Sequence, residues 1–135
     1  MYIVNNCSNN EYIYIRDLQL GEKISPNVCH RIISAEECMN IAELSFTAIY
    51  DRESDGEVHI RISGEIISQR LKDDSLLYAM VYNKDGVLIG CSFHTVVRKR
   101  SCRGKTTFKT GLFLPADETI SSIVIRPGYN PVVML

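Results

Sequence analysis

The sequence has no tryptophan, no long apolar run and almost no net charge. Its 135 residues include 15 Lys and Arg against 16 Asp and Glu, which leaves a formal net charge of −1. No stretch approaches the ~18 apolar residues of a membrane-spanning helix. The near-neutral balance gives no general attraction to nucleic acid or anionic membranes. Any basic recognition must therefore come from a local patch.

The missing tryptophan counts against a carbohydrate-binding surface built on an aromatic platform. Four tyrosines could supply such a platform instead, although tyrosines at a sandwich edge more often keep only the hydroxyl in water. They are Tyr2, Tyr12, Tyr14 and Tyr129.

Recognisable catalytic and metal-binding motifs are also missing. The sequence contains no phosphate-binding loop, dinucleotide fingerprint, Gly-x-Ser-x-Gly or His-Glu-x-x-His. The five cysteines, at positions 7, 29, 38, 91 and 102, include no Cys-x-x-Cys pair, so we expect reduced and mostly buried thiols. We predict that the protein is not an enzyme and needs no metal or cofactor.

One pair of residues remains a candidate for nucleophilic chemistry. Cys102 lies between Arg100 and Arg103, where positive charge would lower a thiol pKa, and His94 is the base to test with it. No resolving thiol or base is nearby in sequence. We therefore expect Cys102 to be an exposed, passive cysteine.

The length and the first residues bear on domain number and compartment. A chain of 135 residues is the usual size of one domain, so we predict a single domain over 1–135. The opening residues have neither the positive n-region nor the apolar h-region of a secretory signal. The expected location is cytoplasmic if Met1 is the native start, and secreted or periplasmic if a leader was removed.

Alternating apolar and polar residues from position 43 onward predict β-strands with one buried face. Six such strands fill the last ninety residues with no helical period between them, which predicts an antiparallel β-sandwich. Strands near 12–15 and 28–33 bring the total to seven or eight. The capping-box pattern Ser34-Ala35-Glu36-Glu37, with Ser34 as N-cap, predicts one short helix near 34–40. The inward side chains that we expect include Phe46, Ile60 and Phe93.

The clearest unit is a hairpin from Ser75 to Val97. Its two apolar strands are joined by Asn83-Lys84-Asp85-Gly86, where asparagine at the first position and glycine at the fourth suit a type I turn. A loop of this kind closes a hairpin with a bulge, and the last residue needs a positive φ.

The stretch from Met80 to Gly90, MVYNKDGVLIG, resembles the core motif of bacterial FxLYD-type domains. In that family a strand ending in an aromatic residue and Asp or Asn turns through a glycine into a strand with a second glycine. Met80 stands where the family usually has an aromatic residue or leucine, and Asn83 replaces its aspartate. Gly64-Glu65-Ile66-Ile67 resembles the preceding strand, so the likeness covers roughly 58–126.

This resemblance implies an immunoglobulin- or fibronectin-III-like sandwich that acts as a binding or accessory module. It implies no catalytic residues. The predicted fold class is accordingly an all-β, antiparallel, immunoglobulin-like β-sandwich.

A basic cluster between residues 98 and 105 is the candidate ligand-binding site. Such a cluster can bind phosphate, nucleic acid or an acidic protein surface, or it can be a solvated connection that discourages edge pairing. No aromatic residue is interleaved within it, which disfavours single-stranded nucleic acid. The candidate residues are Arg98, Lys99, Arg100, Arg103 and Lys105.

Two functions follow as hypotheses. The first is a non-catalytic protein-interaction or assembly module whose partner is a second copy or another protein. The alternative is a small anionic-ligand or nucleic-acid binding protein that uses the basic 98–105 loop.

Overall fold

The computed structural model describes residues 11–129, which form nine β-strands and one short α-helix. The elements in chain order are β1 (Ile13–Tyr14), β2 (Cys29–Arg31), α1 (Ile33–Cys38), β3 (Glu43–Ser54), β4 (Glu57–Ser68), β5 (Ser75–Tyr82), β6 (Leu88–Val97), β7 (Gly104–Pro115), β8 (Thr119–Ile120) and β9 (Ser122–Tyr129). Short 3-10 helices occupy Ile15–Asp17, Pro26–Val28 and Lys99–Ser101. No helix within 11–129 is both long and apolar enough to cross a membrane.

The strands form two main sheets that enclose one core. One sheet has the order β2-β9-β5-β6 and the other has the order β3-β4-β7, while β1 and β8 form a small separate pair. The prediction of an all-β, sandwich-like fold is confirmed. One pairing departs from the antiparallel expectation, because β2 lies parallel to β9. The two strands are far apart in sequence, so no tight hairpin dictates their direction.

The core lies between the inner faces of the two sheets. Alternate residues of β4 point into it, and Ile60, Ile62 and Ile66 have no exposed surface. Three successive residues of β9, Ile123 to Ile125, are also fully buried, because α1 packs against this strand. The alternation expected for β4 is confirmed, and β9 has the continuous apolar pattern of a covered strand.

The Asn83 turn forms as the sequence predicts. The amide of Gly86 donates to the carbonyl oxygen of Asn83 (2.9 Å), and Gly86 has a φ of 79°. The side-chain oxygen of Asn83 accepts from the amides of Asp85 and Val87 at 2.9 and 3.0 Å. The turn is thus held by its own asparagine, as in an Asx-turn.

The inward orientation expected for Phe93 is wrong, because β6 contains a β-bulge. Leu77 pairs with Thr95 and Ala79 pairs with Ser92, so the single β5 residue between Leu77 and Ala79 faces two residues on β6. Those two residues are Phe93 and His94, and both are exposed, Phe93 by 52%. The extra residue breaks the period-two alternation from which the burial of Phe93 was predicted.

The short helix is confirmed, but its capping differs from the prediction. It runs Ile33–Cys38 and its N-cap is Ile32, which makes no side-chain cap hydrogen bond. The expectation that Ser34 caps the helix is therefore wrong. Glu36 is buried, and its carboxylate accepts hydrogen bonds from the guanidinium of Arg31, whose Nε lies 3.0 Å from Oε2. This ion pair joins the helix to β2.

Candidate functional site

An open cavity of about 550 Å³ lies at one end of the sandwich, between two chain connections. One connection joins β4 to β5 and the other joins β6 to β7. We call this space the basic cavity. It is lined by Gln69, Arg70, Asp73, Asp74, Arg98, Lys99, Arg100, Cys102 and Arg103.

The β6–β7 connection is a tight turn anchored by a buried thiol. The amides of Ser101 and Cys102 donate to the carbonyl oxygen of Arg98 at 3.0 and 3.1 Å, which closes a 3-10 turn. Cys102 is 1% exposed and belongs to the core cluster, whereas Arg100 and Arg103 on either side of it are exposed. The expectation of an exposed Cys102 is wrong, because the turn directs this residue inward.

The β4–β5 connection is held by a buried leucine and two hydrogen bonds. Leu71 has no exposed surface and lies in the core cluster. The amide of Lys72 donates to the carbonyl oxygen of Met39 at 3.1 Å, and Nδ2 of Asn40 donates to the carbonyl oxygen of Arg70. These contacts hold the backbone of the connection against the sandwich while the side chains of Arg70 and Lys72 stay exposed.

Asp74 joins the two connections. Its Oδ1 accepts from the amide of Lys99 at 2.8 Å, and its Oδ2 lies 3.5 Å from Nη1 of Arg98. The neighbouring Asp73 accepts from the amide of Asp74 through Oδ1 at 2.8 Å. Part of the acidic charge at the cavity is therefore already engaged in joining its two walls.

Positive charge dominates the cavity wall. Five basic side chains line it against the two carboxylates, which gives a net formal charge of +3 in a chain of net charge −1. Within residues 11–129, no carboxylate lies within ion-pair distance of Arg70, Arg100 or Arg103. A concave surface of one sign concentrates ions of the opposite sign. Guanidinium groups in particular bind phosphate and carboxylate oxygens through two parallel hydrogen bonds.

Four of the five residues that the sequence identified line this cavity. They are Arg98, Lys99, Arg100 and Arg103. Lys105 does not: it lies on β7, where its Nζ is 3.4 Å from Oε2 of Glu65. Arg70 was missed, because it lies in a polar connection almost thirty positions earlier and only the fold brings it to the cluster.

The pair considered for nucleophilic chemistry does not form. Cys102 is buried in the core, while His94 is exposed and stacks on Phe93 with 5.1 Å between ring centroids. Another histidine is better fixed: Nδ1 of His59 lies 2.7 Å from Oδ1 of Asp51, and its ring meets Phe113 edge-on. In the part of the chain that the structure describes, no three His, Cys, Asp or Glu residues are grouped as metal ligands.

The four cysteines between 11 and 129 are free. Cys38 and Cys91 are exposed, so the expectation of mostly buried thiols is wrong for these two. Burial raises the pKa of Cys29 to about 11. Cys7 lies outside the described residues.

Two of the four tyrosines considered as an aromatic platform are neighbours. Tyr12 and Tyr14 are exposed, with ring centroids 5.5 Å apart at an interplanar angle of 78°. Tyr129 is also exposed, but no ring contact joins it to them across residues 11–129. Tyr2 lies outside the described residues. Tyr12 and Tyr14 therefore form an edge-to-face pair, which differs from the flat aromatic platform that the sequence suggested.

Comparisons of the chain with protein-family models, with curated proteins and with solved structures found no significant match. The functional argument therefore depends on the geometry and charge of the basic cavity.

Proposed function

We propose that this chain is a non-catalytic binding module that holds an anionic group in the basic cavity. Of the two functions that the sequence left open, this is the anionic-ligand alternative. The observation that carries it is the convergence of five basic side chains from two separate connections on one cavity. A solvated connection would spread its charges outward, whereas these line a common concave wall.

The local electrostatics favour a ligand with phosphate, sulfate or carboxylate oxygens. Like charges on a shared wall repel each other in the free protein, and an anion relieves this repulsion when it binds. Arg70, Arg100 and Arg103 can each present a planar fork to such oxygens. Asp74 holds Arg98 and the backbone of Lys99, so part of the site is organised before the ligand arrives.

The proposed fold is immunoglobulin-like, and strand order is what supports it. If β3 is lettered A, then β4, β5, β7 and β9 take the places of B, C, E and F. The three-stranded sheet then has the order A-B-E, and C pairs with F in the other sheet, as in immunoglobulin-type sandwiches. The parallel strand β2 occupies the place next to F. The likeness to FxLYD-type domains stays a prediction.

The protein-interaction hypothesis remains as a second candidate, supported by β6 and the turn before it. Val87, Leu88 and Phe93 are large apolar residues about half exposed there. Apolar patches of this kind mark surfaces that contact another protein when they are contiguous, whereas single exposed apolar residues are common on any protein. Sedimentation velocity tests the self-association form of this hypothesis: a monomer over a wide concentration range, unaltered by Phe93→Ser, would contradict it.

The main proposal is tested by thermal unfolding in sodium phosphate against sodium chloride of equal ionic strength. At a phosphate concentration about ten times Kd, a bound anion adds about 1.4 kcal/mol to the free energy of unfolding, or roughly 5 °C in Tm. The double variant Arg100→Gln/Arg103→Gln should lose this increase. Lys105→Gln is the matched control and should keep it, because Lys105 lies outside the cavity.

Two results would contradict the proposal. One is an equal Tm in the two salts for the wild-type protein. The other is an increase that the double variant retains in full, since the anion would then bind elsewhere.

A further inference from the structure

A second cavity adjoins the basic cavity and continues its positive charge. It has a volume of about 380 Å³ and shares Arg70 and Lys99 with the first. Its other lining residues are Glu37, Asn40, Leu71 and Lys72. Arg70 and Lys99 therefore stand between the two spaces and face both.

The second cavity has its own cation. Lys72 lines it and does not line the first cavity, and its backbone is fixed by the hydrogen bond to Met39. With Arg70 and Lys99 it gives three positive charges against the single carboxylate of Glu37. An anionic ligand that begins among the arginines of the basic cavity thus meets further positive charge if it extends past Arg70 and Lys99.

The lining of both cavities also bears on the chemical class of the ligand. None of the residues that line either cavity is aromatic. Proteins that hold single-stranded nucleic acid stack its bases on aromatic side chains, and this surface offers no such platform. The hydrogen-bond donors that line the two cavities are guanidinium, ammonium and amide groups, which can bind the phosphoryl oxygens of a chain-like ligand.

We propose that the ligand is a small, chain-like molecule carrying at least two phosphoryl groups, an inference that rests on the proposed function. One group lies among Arg98, Arg100 and Arg103 in the basic cavity. The next lies at Lys72 in the second cavity, and Arg70 and Lys99 contact the chain between them. Lys72 is thus the residue that distinguishes a ligand with several phosphoryl groups from a single phosphate.

Isothermal titration calorimetry at constant ionic strength tests this with orthophosphate, pyrophosphate and tripolyphosphate. Affinity should rise along the series, with tripolyphosphate binding at least about tenfold more tightly than orthophosphate, which is about 1.4 kcal/mol. Citrate, a compact trianion, controls for the charge of pyrophosphate and should not reproduce the gain that pyrophosphate shows over orthophosphate. Lys72→Gln should remove most of the gain for tripolyphosphate and leave the orthophosphate affinity unchanged, whereas Lys105→Gln should change neither.

Orthophosphate binding without any gain for the longer ions would overturn the inference and leave the proposed function intact. So would a gain that Lys72→Gln retains or that citrate matches. A single-stranded oligonucleotide that binds more tightly than tripolyphosphate would overturn the choice of a small ligand. Failure of every phosphate to bind would overturn the proposed function as well, so the two failures are distinguishable.

Discussion

The two ends of the sandwich use polar side chains in opposite ways. At one end, which we call the turn end, the short turns after β3, β5 and β7 contact each other. Asn83 donates through Nδ2 to Glu118 at 3.1 Å, the amide of Lys84 donates to Oγ1 of Thr119 at 3.0 Å, and the amide of Ala116 donates to the carbonyl oxygen of Gly56. The polar groups of these turns are thus hydrogen-bonded to one another.

At the other end, which holds the basic cavity, the connections are longer and like charges face a common space. Asp74 satisfies Arg98, but Arg70, Arg100 and Arg103 have no carboxylate partner within the described part of the chain. Like charges that are held near one another without a partner repel and so do not stabilise the fold, and a cost of this kind is typical of sites kept for function. The contrast in polar pairing therefore supports the proposal that the cavity end binds a ligand, while the polar side chains of the turn end contribute to the fold.

The largest expected effect comes from removing the anchor of the cavity end. Leu71→Ala deletes a fully buried side chain beneath Arg70 and Lys72, so the free energy of unfolding should fall by about 2–5 kcal/mol. Urea unfolding measures this, with Leu20→Ala as the control, because Leu20 is an exposed leucine. A loss below that of the control would mean that the connection is not held by its leucine.

The next effect concerns the turn end. Asn83→Ala removes the acceptor of two backbone amides and the donor to Glu118, which should cost about 1–3 kcal/mol. Phosphate-dependent stabilisation should be unchanged, because the cavity is at the other end. Asn27→Ala, at an exposed asparagine, is the control and should be nearly neutral. An unaltered stability of the Asn83 variant would remove the assigned role of this turn.

A smaller effect of opposite sign is expected at the cavity. Without ligand and at low salt, Arg100→Gln/Arg103→Gln should raise the free energy of unfolding, by about 0.5 kcal/mol or less, because repulsion between exposed like charges is relieved. Added sodium chloride should abolish the difference by screening. A destabilised double variant would show that these arginines serve the fold.

The smallest expected effect is a pH dependence of stability caused by His30, which lies on β2 and at neither end of the sandwich. Burial lowers the pKa of His30 in the folded protein. The unfolded chain therefore binds a proton more readily, and stability is lost as the pH falls through about 6.5 towards the lower folded pKa. Thermal scans between about pH 8 and about pH 5 should show a smaller acid loss for His30→Gln than for the wild type. Parallel curves for the two proteins would contradict this.

Local patterns were enough to predict most of the fold. Alternation placed Ile60 and Ile62 in the core, and the Asn83–Gly86 turn followed from the conformations that asparagine and glycine allow. The bulge at Phe93 was not predictable, because it depends on the register against β5. The parallel placement of β2 likewise depends on a partner more than ninety residues away.

The candidate site was predictable only in part, for the same reason. The run of cations from Arg98 to Arg103 is visible in the sequence, but whether it surrounds a cavity depends on the opposing connection. Arg70 and Asp74 reach the cavity through the pairing of β5 with β6 and the burial of Leu71. Lys105, which belongs to the same run, was separated from it by the start of β7.

The most direct test of this account is to map where an anion binds. Amide chemical shifts of the protein titrated with orthophosphate should change in residues 69–74 and 98–103, while the turns around Gly56, Asn83 and Ala116 stay unaltered against a sodium chloride control. Changes centred on the turn end, or changes equal to those with sodium chloride, would contradict the assignment of binding to the basic cavity.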